Sequence, residues 1–250
     1  MKGKVGTLVK TMNLLNSLGE KGPMGVMDLS RSLDMDKSGV SRVLTTLKSG
    51  NYVRVLEDGR YDLGLRIFEL GQILQERMPI RRALAPHVHA LARDTGETAI
   101  AAHYHKRRIS YLYDVIAEKE IRMGGRVGMS CVPWQDVCGK AILAFCDDDY
   151  ILDCLKFDKV SGHSPLPSRK SIFSEVEKVR ATGYAIERNR DQCLVAAHIP
   201  SKHRPPSLAL MVGGPASRIT TSDVGRLGEL VKSHAEKCIE SLGWPTESNA

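Results

Sequence analysis

The sequence predicts an α+β fold in which an N-terminal winged helix-turn-helix is joined by a linker helix to an antiparallel-sheet domain. Between residues 26 and 63, two short helical patterns separated by a tight turn are followed by an Asp-Gly hairpin signal. A segment at 65–77 is helical and apolar on more than one side. Beyond residue 98, hairpin strands are mixed with separated helices, which is typical of helices packed on an antiparallel sheet.

The chain opens with a predicted helix at residues 5–19, which Gly19 is expected to end. Its apolar residues share one face: Val5, Leu8, Val9, Met12 and Leu15. A shorter helix is predicted at 26–33 and ends in the turn 34–36. The first helix is expected to pack behind the helix-turn-helix as a third core helix.

The second helix of the motif covers residues 37–49 and is called the reading helix below. One apolar stripe runs along it at helical spacing, formed by Val40, Val43, Leu44 and Leu47. Asp36 is a suitable N-cap because its carboxylate can accept from the free amides of the first turn, and Gly50 stands where a helix ends. In a helix-turn-helix, this second helix enters the major groove of DNA.

The opposite face of the reading helix carries short polar side chains together with positive charge. Short side chains let the backbone approach a groove, cations bind phosphates, and hydroxyls donate or accept hydrogen bonds at base edges. Arg54 and Arg60 lie near the predicted hairpin, where both are expected to reach phosphates. The candidate DNA-binding residues are Lys37, Ser38, Ser41, Arg42, Thr45, Lys48, Arg54 and Arg60. A small helical subdomain with a solvated polar face is the alternative interpretation.

The positive net charge of the chain favours a polyanionic partner but does not identify which one. Formal net charge is +7 over 250 residues, and residues 1–60 hold ten Lys and Arg against six Asp and Glu. The region of the helix-turn-helix therefore carries +4 of the +7. Lys2 and Lys4 belong to this excess, and both a contact with the DNA backbone and a solvated terminus stay open for them.

Proline and glycine mark the next boundaries. Met78-Pro79 interrupts the linker helix, and a further helix runs through Ala92 to a stop at Thr95-Gly96. The sequence thus predicts a DNA-binding domain at 1–64, a linker helix at 65–78 and a second domain at 79–245. A short helix with two apolar faces needs two partners, so the linker helix is expected to pack on its own domain and on a second copy of the chain.

The second domain is predicted to mix strands with helices. Strands are expected at 98–105, 109–115, 184–187, 194–199 and 208–212, and helices at 137–145, 150–157, 172–182 and 222–242. The six cysteines form no Cys-x-x-Cys pair, so free and mostly buried thiols are expected. Because no signal-peptide pattern and no apolar run of about 18 residues is present, we expect a cytoplasmic protein that does not enter a membrane.

Eight short motifs, taken in order from Val5 to about Gly243, resemble the IclR family of bacterial transcriptional regulators. They are Gly6-Thr7-Leu8-Val9-Lys10, Leu14-Leu15, Lys37-Ser38-Gly39-Val40-Ser41-Arg42-Val43-Leu44, Gly50-Asn51-Tyr52-Val53, Tyr61-Asp62-Leu63-Gly64, Cys138-Gly139-Lys140-Ala141-Ile142-Leu143-Ala144, Gly183-Tyr184-Ala185 and Gly213-Gly214-Pro215. The resemblance implies a dimer or tetramer, with a winged helix-turn-helix joined by a linker helix to an effector-binding domain of GAF-like shape.

The resemblance also implies an effector pocket in the second domain. Where the family places polar residues on its last strand, this chain has Met211 and Gly213, and where Ala-Ala-Pro is common it has Ala-Ala-His198. The stretch after Glu187 is also less acidic than in the family. Transferred position by position, the effector-binding residues are Val132, Trp134, Val137, Cys138, Glu187, Leu194, Met211 and Gly213.

The N-terminus of the helix near Asp136 is a second reason to expect a pocket here. A helix that begins near Asp136 leaves its first amides without intrahelical partners, and its dipole adds partial positive charge there. A small carboxylate is therefore expected to dock on the amides of Val137 and Cys138. Because Met211 and Gly213 are not polar, the effector is expected to be a small organic or aromatic acid with an apolar body. The alternative is that Asp136 caps the helix itself and that Trp134 is simply part of the core.

Catalytic and metal sites find less support. His103-x-His105 places two imidazoles on one strand face, but the sequence supplies no evident third or fourth ligand. Cys193 and His198 stand five apart on one predicted strand, and therefore on opposite faces. We expect no catalytic residue, no metal and no cofactor, and a ligand-responsive regulator that binds double-stranded DNA as a homodimer or homotetramer. A regulator with a vestigial pocket, or a metal-dependent enzyme built on the second domain, are the alternatives.

Overall fold

The computed structural model describes residues 5–160, 168–201 and 205–243, so Lys2 and Lys4 lie outside it. The chain forms two compact units, of which the first ends at Met78 and the second begins at Pro79. Within the described ranges, no helix is long and apolar enough to cross a membrane.

The first unit is the winged helix-turn-helix that the sequence predicts. Its elements are α1 (Gly6–Lys21), α2 (Val26–Leu33), α3 (Lys37–Ser49), β1 (Val53–Val55), β2 (Tyr61–Leu63) and α4 (Leu65–Arg77). A small core of buried apolar side chains holds them together: Leu14, Leu18, Leu29, Val40, Leu44 and Val53. The α3 stripe supplies Val40 and Leu44 to this core, as predicted. The stripe predicted for α1 is wrong: Val5, Leu8 and Met12 are more than half exposed, and Leu14 and Leu18 pack into the core instead.

Two tight turns set the geometry of this unit. Asp34 adopts a left-handed conformation with a φ of 48°, which turns the chain from α2 into α3. Gly59 has a φ of 78° in the hairpin that joins β1 to β2, and the two strands pair antiparallel with Val53 opposite Leu63. The prediction that Gly19 ends the first helix is wrong: α1 continues to Lys21, and Gly22 with a φ of 78° follows it.

The second unit is an antiparallel sheet with helices on both faces. Its elements are α5 (Pro79–Thr95), β3 (Thr98–His105), β4 (Arg108–Val115), β5 (Ser130–Cys131), α6 (Val137–Leu143), α7 (Asp148–Val160), α8 (Arg169–Thr182), β6 (Ala185–Arg188), β7 (Gln192–His198), β8 (Leu208–Pro215) and α9 (Asp223–Ser241). The six strands lie in the order β5-β4-β3-β8-β7-β6, and every neighbouring pair is antiparallel. The predicted α+β class is thereby confirmed.

Side chains alternate between the two faces of the sheet, as the strand period requires. On β7, Cys193, Val195 and Ala197 pack with α5 and α9. Leu194 and Ala196 point the other way and pack with α6 and α8. Because both faces are buried, the strand is continuously apolar.

Two elements had no counterpart in the sequence prediction. The strand β5 has only two residues, too few for an alternating pattern, and a single turn of 3-10 helix covers Pro133–Gln135 just before α6. Between β4 and β5, residues 116–129 form a connection without regular structure. This connection, called the β4–β5 segment below, contributes directly to the candidate effector site.

Candidate nucleic-acid interface and effector site

The reading helix begins at an aspartate cap and presents one polar face. The Asp36 carboxylate accepts a hydrogen bond from the Gly39 amide at 3.0 Å and another from the Ser38 hydroxyl. These two hydrogen bonds, led by that from Ser38, hold the pKa of Asp36 below its ordinary value. All six candidate residues of the helix are exposed: Lys37, Ser38, Ser41, Arg42, Thr45 and Lys48. The structure thus brings them to one side of α3, as their spacing predicts.

The cations of this face are available to an external partner. Within the described part of the chain, the side chains of Lys37, Arg42 and Lys48 form no hydrogen bond and no ion pair, although the charge of Arg42 contributes to the lowered pKa of Asp36. The hydroxyls differ from one another. Thr45 Oγ1 donates to the Ser41 carbonyl at 2.9 Å, whereas the Ser41 hydroxyl has no hydrogen-bond partner among the described residues.

The two wing arginines are already paired with acids. Arg54 Nη2 lies 2.7 Å from an Asp62 carboxylate oxygen, and Arg60 Nε lies 2.7 Å from an oxygen of Asp58. The hydrogen bond from Arg54 holds the pKa of Asp62 below its ordinary value. A phosphate contact by either arginine stays a prediction, and DNA would have to replace an acid partner to form it.

The eight candidate effector residues lie on one face of the six-stranded sheet and on the elements that cover it. Five of them belong to a single buried cluster: Trp134, Val137, Cys138, Leu194 and Met211. Leu194 is paired with Glu187 on one side and with Gly213 on the other. Val132 is buried directly before the 3-10 turn. Their transfer from the family pattern therefore selects residues that are close in space.

The predicted docking of a carboxylate on the α6 amides is wrong for this chain. The Asp136 carboxylate accepts hydrogen bonds from the Cys138 amide at 2.9 Å and from the Gly139 amide at 3.2 Å. The Tyr111 hydroxyl donates to its other oxygen. Only 4% of Asp136 is exposed, so the chain's own carboxylate occupies the position proposed for the effector. The alternative, in which Asp136 caps the helix, is the one observed.

Met123, which sequence reasoning did not single out, fills space beside the predicted pocket residues. A Cβ atom added at Gly213 would lie 2.7 Å from the Met123 sulfur and 2.6 Å from Leu194 Cδ2. The Met123 carbonyl accepts a hydrogen bond from the buried Thr98 hydroxyl at 2.8 Å, which fixes this part of the β4–β5 segment. No local periodicity marks Met123 because it lies in an irregular connection.

Arg126, on the same segment, supplies a cation beside the cluster. Its guanidinium is half-buried, donates from Nη1 to the Tyr111 hydroxyl at 3.2 Å and lies over the Tyr111 ring. Burial opposes the charge of Arg126, but the bond to Tyr111 raises its pKa above the ordinary value. On α6, Lys140 Nζ pairs with a Glu187 oxygen at 3.1 Å. Charges of both signs therefore border the apolar cluster.

The thiols near this site are protonated at neutral pH. Burial raises the pKa of Cys131 to about 11 and raises the pKa of Cys138 well above its ordinary value. A thiolate is the nucleophilic form, so neither cysteine is poised for covalent chemistry. Cys193 and His198 lie on opposite faces of β7, with Cys193 in the α5 and α9 cluster and His198 stacked on Phe145.

The two strand histidines lie close together but lack further ligands. The His103 and His105 rings are stacked with their centroids 5.8 Å apart. Within residues 5–160, 168–201 and 205–243, no three His, Cys, Asp or Glu side chains form a group that could hold a metal ion.

Comparisons with known proteins agree with the fold and the reading helix. Residues 7–57 match the model of the IclR helix-turn-helix domain, and residues 72–239 match the model of the bacterial transcriptional regulator IclR C-terminal domain. The HTH-type transcriptional regulator KdgR of Escherichia coli is 30% identical over 192 residues, which cover 75% of this chain and 72% of KdgR.

Solved structures share the fold at lower identity. An IclR family transcriptional regulator from Brucella abortus has a TM-score of 0.82 at 22% identity, covering 98% of this chain and 94% of that one. An IclR homologue from Microbacterium hydrocarbonoxydans, complexed with 4-hydroxybenzoate, has a TM-score of 0.73 at 17% identity, covering 95% and 99% of the two chains. The chain described above belongs to the IclR family of transcriptional regulators and is a DNA-binding protein of the helix-turn-helix class.

Proposed function

We propose that this chain is a ligand-responsive transcriptional regulator that binds an inverted-repeat operator as a homodimer. Residues 1–64 would bind DNA, residues 65–78 would link the two domains, and residues 79–245 would bind the effector. The observation that carries this proposal is the polar face of α3, where three exposed cationic side chains form no hydrogen bond or ion pair in the described part of the chain. Such a face suits the major groove because it supplies phosphate contacts and base contacts from one helix.

The roles of Arg42 and Lys48 within that face should differ. Arg42 lies about midway along the helix on this face, so we expect Arg42→Ala to weaken operator binding by about 1 to 3 kcal/mol. Lys48 lies at the helix end, and we expect Lys48→Ala to lower the magnitude of the salt slope by about one. Both effects are measured by titrating a duplex selected from a random pool at several salt concentrations.

The matched control for this experiment is Lys170→Ala, which removes an exposed lysine from α8 in the second unit. It changes the net charge as Lys48→Ala does but leaves the reading helix unchanged. If Arg42→Ala and Lys48→Ala both bind like the wild type, α3 does not contact the operator.

The proposal of a dimer rests on the surface of α4. This helix has no buried residue within its own unit, and Leu65 and Phe68 are 67% and 62% exposed. Exposed apolar residues also continue along it at Leu70, Ile73 and Leu74. A second copy is the favoured occupant because one short reading helix contacts too few bases for useful specificity, whereas a two-fold axis places two on matching half-sites.

Sedimentation at micromolar concentration tests the assembly. We expect the wild type to sediment as a dimer or tetramer and Phe68→Glu to shift it toward monomer. Gln72→Glu, a charge change at an exposed polar position of the same helix, should leave the mass unchanged. A monomer with and without operator would contradict this part of the proposal.

The effector part concerns the cluster around Leu194 and Met211. The Microbacterium homologue was solved with 4-hydroxybenzoate, which favours an aromatic acid as the ligand class for this chain. Because Asp136 occupies the α6 amides, the carboxylate of the acid needs another partner. Arg126 suits this role, since its half-buried guanidinium makes one hydrogen bond among the described residues and carries further donors in a fork that matches a carboxylate.

This assignment is tested with 4-hydroxybenzoate and a panel of benzoates as probes. We expect a probe that raises the melting temperature to change operator affinity about 5- to 150-fold, the usual size of such coupling. Arg126→Gln should abolish the response and keep operator binding. Arg122→Gln, an exposed arginine on the same segment, is the control and should respond like the wild type.

One observation favours a second candidate, a regulator whose pocket takes no ligand. Met123 and Leu194 crowd Gly213, and Asp136 fills the helix terminus, so the predicted site is occupied by the chain's own side chains. If no member of the panel raises the melting temperature while the operator still binds, this second candidate replaces the first. If Arg126→Gln responds unchanged, the acid binds elsewhere.

A further inference from the structure

We infer that Thr45 recognises thymine in each half-site through its methyl group, so that the reading helix carries an apolar contact at the centre of its polar face. The inference rests on the proposed function, because it specifies how α3 would read the operator. It concerns the base identity at one position and does not depend on an effector.

Thr45 lies at the centre of the exposed face. Ser38, Ser41 and Thr45 follow one another at i, i+3 and i+7, so they stand one above the other on the helix. Arg42 borders this row on one side and Lys48 on the other. A helix inserted along this row would place Thr45 toward the groove floor, with the longer cations reaching outward to phosphates or guanine.

The hydroxyl of Thr45 is turned back to its own helix. Thr45 Oγ1 donates to the Ser41 carbonyl at 2.9 Å, which uses its only donor and holds the oxygen against the backbone. The methyl group is then the part of the side chain that faces outward. The neighbouring Ser41 hydroxyl, without a partner in the described residues, keeps its donor for a base or phosphate.

A methyl group at this place discriminates between bases. Thymine projects its C5-methyl into the major groove, and an apolar contact with a threonine methyl recognises it, whereas cytosine carries no methyl there. Burying one methyl group against another is worth about a fourfold change in affinity for each half-site. The contact is therefore small but specific.

Thr46 supplies a matched control. Its hydroxyl also donates to a helix carbonyl, that of Arg42 at 3.0 Å, so its local chemistry equals that of Thr45. It differs in position, because it lines a groove of about 860 Å³ between α1 and α3 rather than the centre of the exposed face. A substitution at Thr46 thus tests whether the effect belongs to the position or to any threonine of the helix.

The experiment uses the full chain and a duplex selected by it from a random pool, in which each thymine is replaced in turn by deoxyuridine. Deoxyuridine lacks only the C5-methyl. For the wild type, we expect one thymine per half-site whose replacement weakens binding about fourfold. Thr45→Ser removes the methyl contact from both half-sites, so it should bind the thymine duplex about sixteenfold more weakly and ignore the replacement. Thr45→Val, which keeps the methyl, should behave like the wild type. Thr46→Ser should leave the sensitivity of the wild type unchanged.

Three results would overturn the inference. In the first, no thymine is sensitive to deoxyuridine. In the second, Thr45→Val weakens binding and Thr45→Ser does not, which would assign the contact to the hydroxyl. In the third, Thr46→Ser removes the sensitivity as well. Failure of the proposed function has a different signature, because no duplex would then be enriched from the pool.

Discussion

Two aspartates begin the helices on which the two candidate sites are built, and their surroundings differ. Asp36 is exposed at the start of α3 and accepts from the Gly39 amide. Asp136 begins α6 in the interior and accepts from two amides and from the Tyr111 hydroxyl. The first cap fixes a helix whose functional side chains face outward. The second fills the place where a ligand was expected.

This difference determines what a partner must displace at each site. On α3, the cationic side chains form no hydrogen bond or ion pair among the described residues, so DNA would replace only water and counterions there. Around α6, the polar groups already hold one another, as in the Lys140–Glu187 and Arg126–Tyr111 contacts. A ligand there must replace existing interactions, and only its differential affinity for the rearranged state can drive a response.

The largest effect that we expect is a difference in unfolding free energy between variants of the two capping aspartates. Asp136→Ala removes an acceptor from two buried amides and from a buried hydroxyl, and we expect the second unit to lose about 2 to 4 kcal/mol of unfolding free energy. Asp36 is itself exposed and its hydrogen bond from the Gly39 amide is only partly buried, so Asp36→Ala should cost the first unit less. Urea unfolding of each variant measures both losses. Equal losses would mean that burial of Asp136 does not distinguish the two sites.

A second test measures the pH dependence of stability in the second unit. It uses His198, the last residue of β7, the strand that also carries Leu194. The His198 ring stacks on Phe145, with the centroids 3.8 Å apart, and burial lowers the pKa of His198 from 6.5 to about 4. Below pH 6.5 the unfolded chain binds a proton that the folded chain excludes until about pH 4, so stability is lost as the pH falls through this window. Allowing for partial exposure of the ring, we expect a loss of about 1 to 2 kcal/mol through this residue.

His198→Phe keeps an aromatic ring against Phe145 and removes the titrating group. The stability difference between wild type and variant should therefore change with pH between 6.5 and about 4. The first unit provides the contrast, because residues 1–78 contain no histidine. A pH-independent difference between wild type and variant would show that His198 has the same pKa in the folded and the unfolded chain.

The same comparison explains which features the sequence could predict. The sequence predicts the reading helix at its observed bounds because its stripe, its Asp36 cap and its exposed face all arise from residues within a few positions of one another. The candidate effector site is built from β7, β8, α6 and the β4–β5 segment, which only the fold brings together. The sequence predicted residues that lie on one face of the sheet and offered the Asp136 cap as an alternative. The contact of Met123 and the hydrogen bond from Tyr111 to Asp136 depend on long-range packing that no local period encodes.

The smallest expected effect concerns the wing, which shares one property with each region. Its arginines are exposed, as the cations of α3 are, but each is paired with an acid, as Lys140 is with Glu187 beside α6. Asp62 holds Arg54 at 2.7 Å in the free protein and would compete with a phosphate for it. Because exposed ion pairs are weak, Asp62→Asn should strengthen operator binding by only about two- to threefold, more at low salt than at high salt. Glu175→Gln removes one negative charge from a paired carboxylate in α8 and controls for net charge. Weaker binding by Asp62→Asn would show instead that Asp62 orients Arg54 toward the DNA. The ion pair would then be part of the interface, and the wing would resemble the interior site, where polar groups hold one another in place.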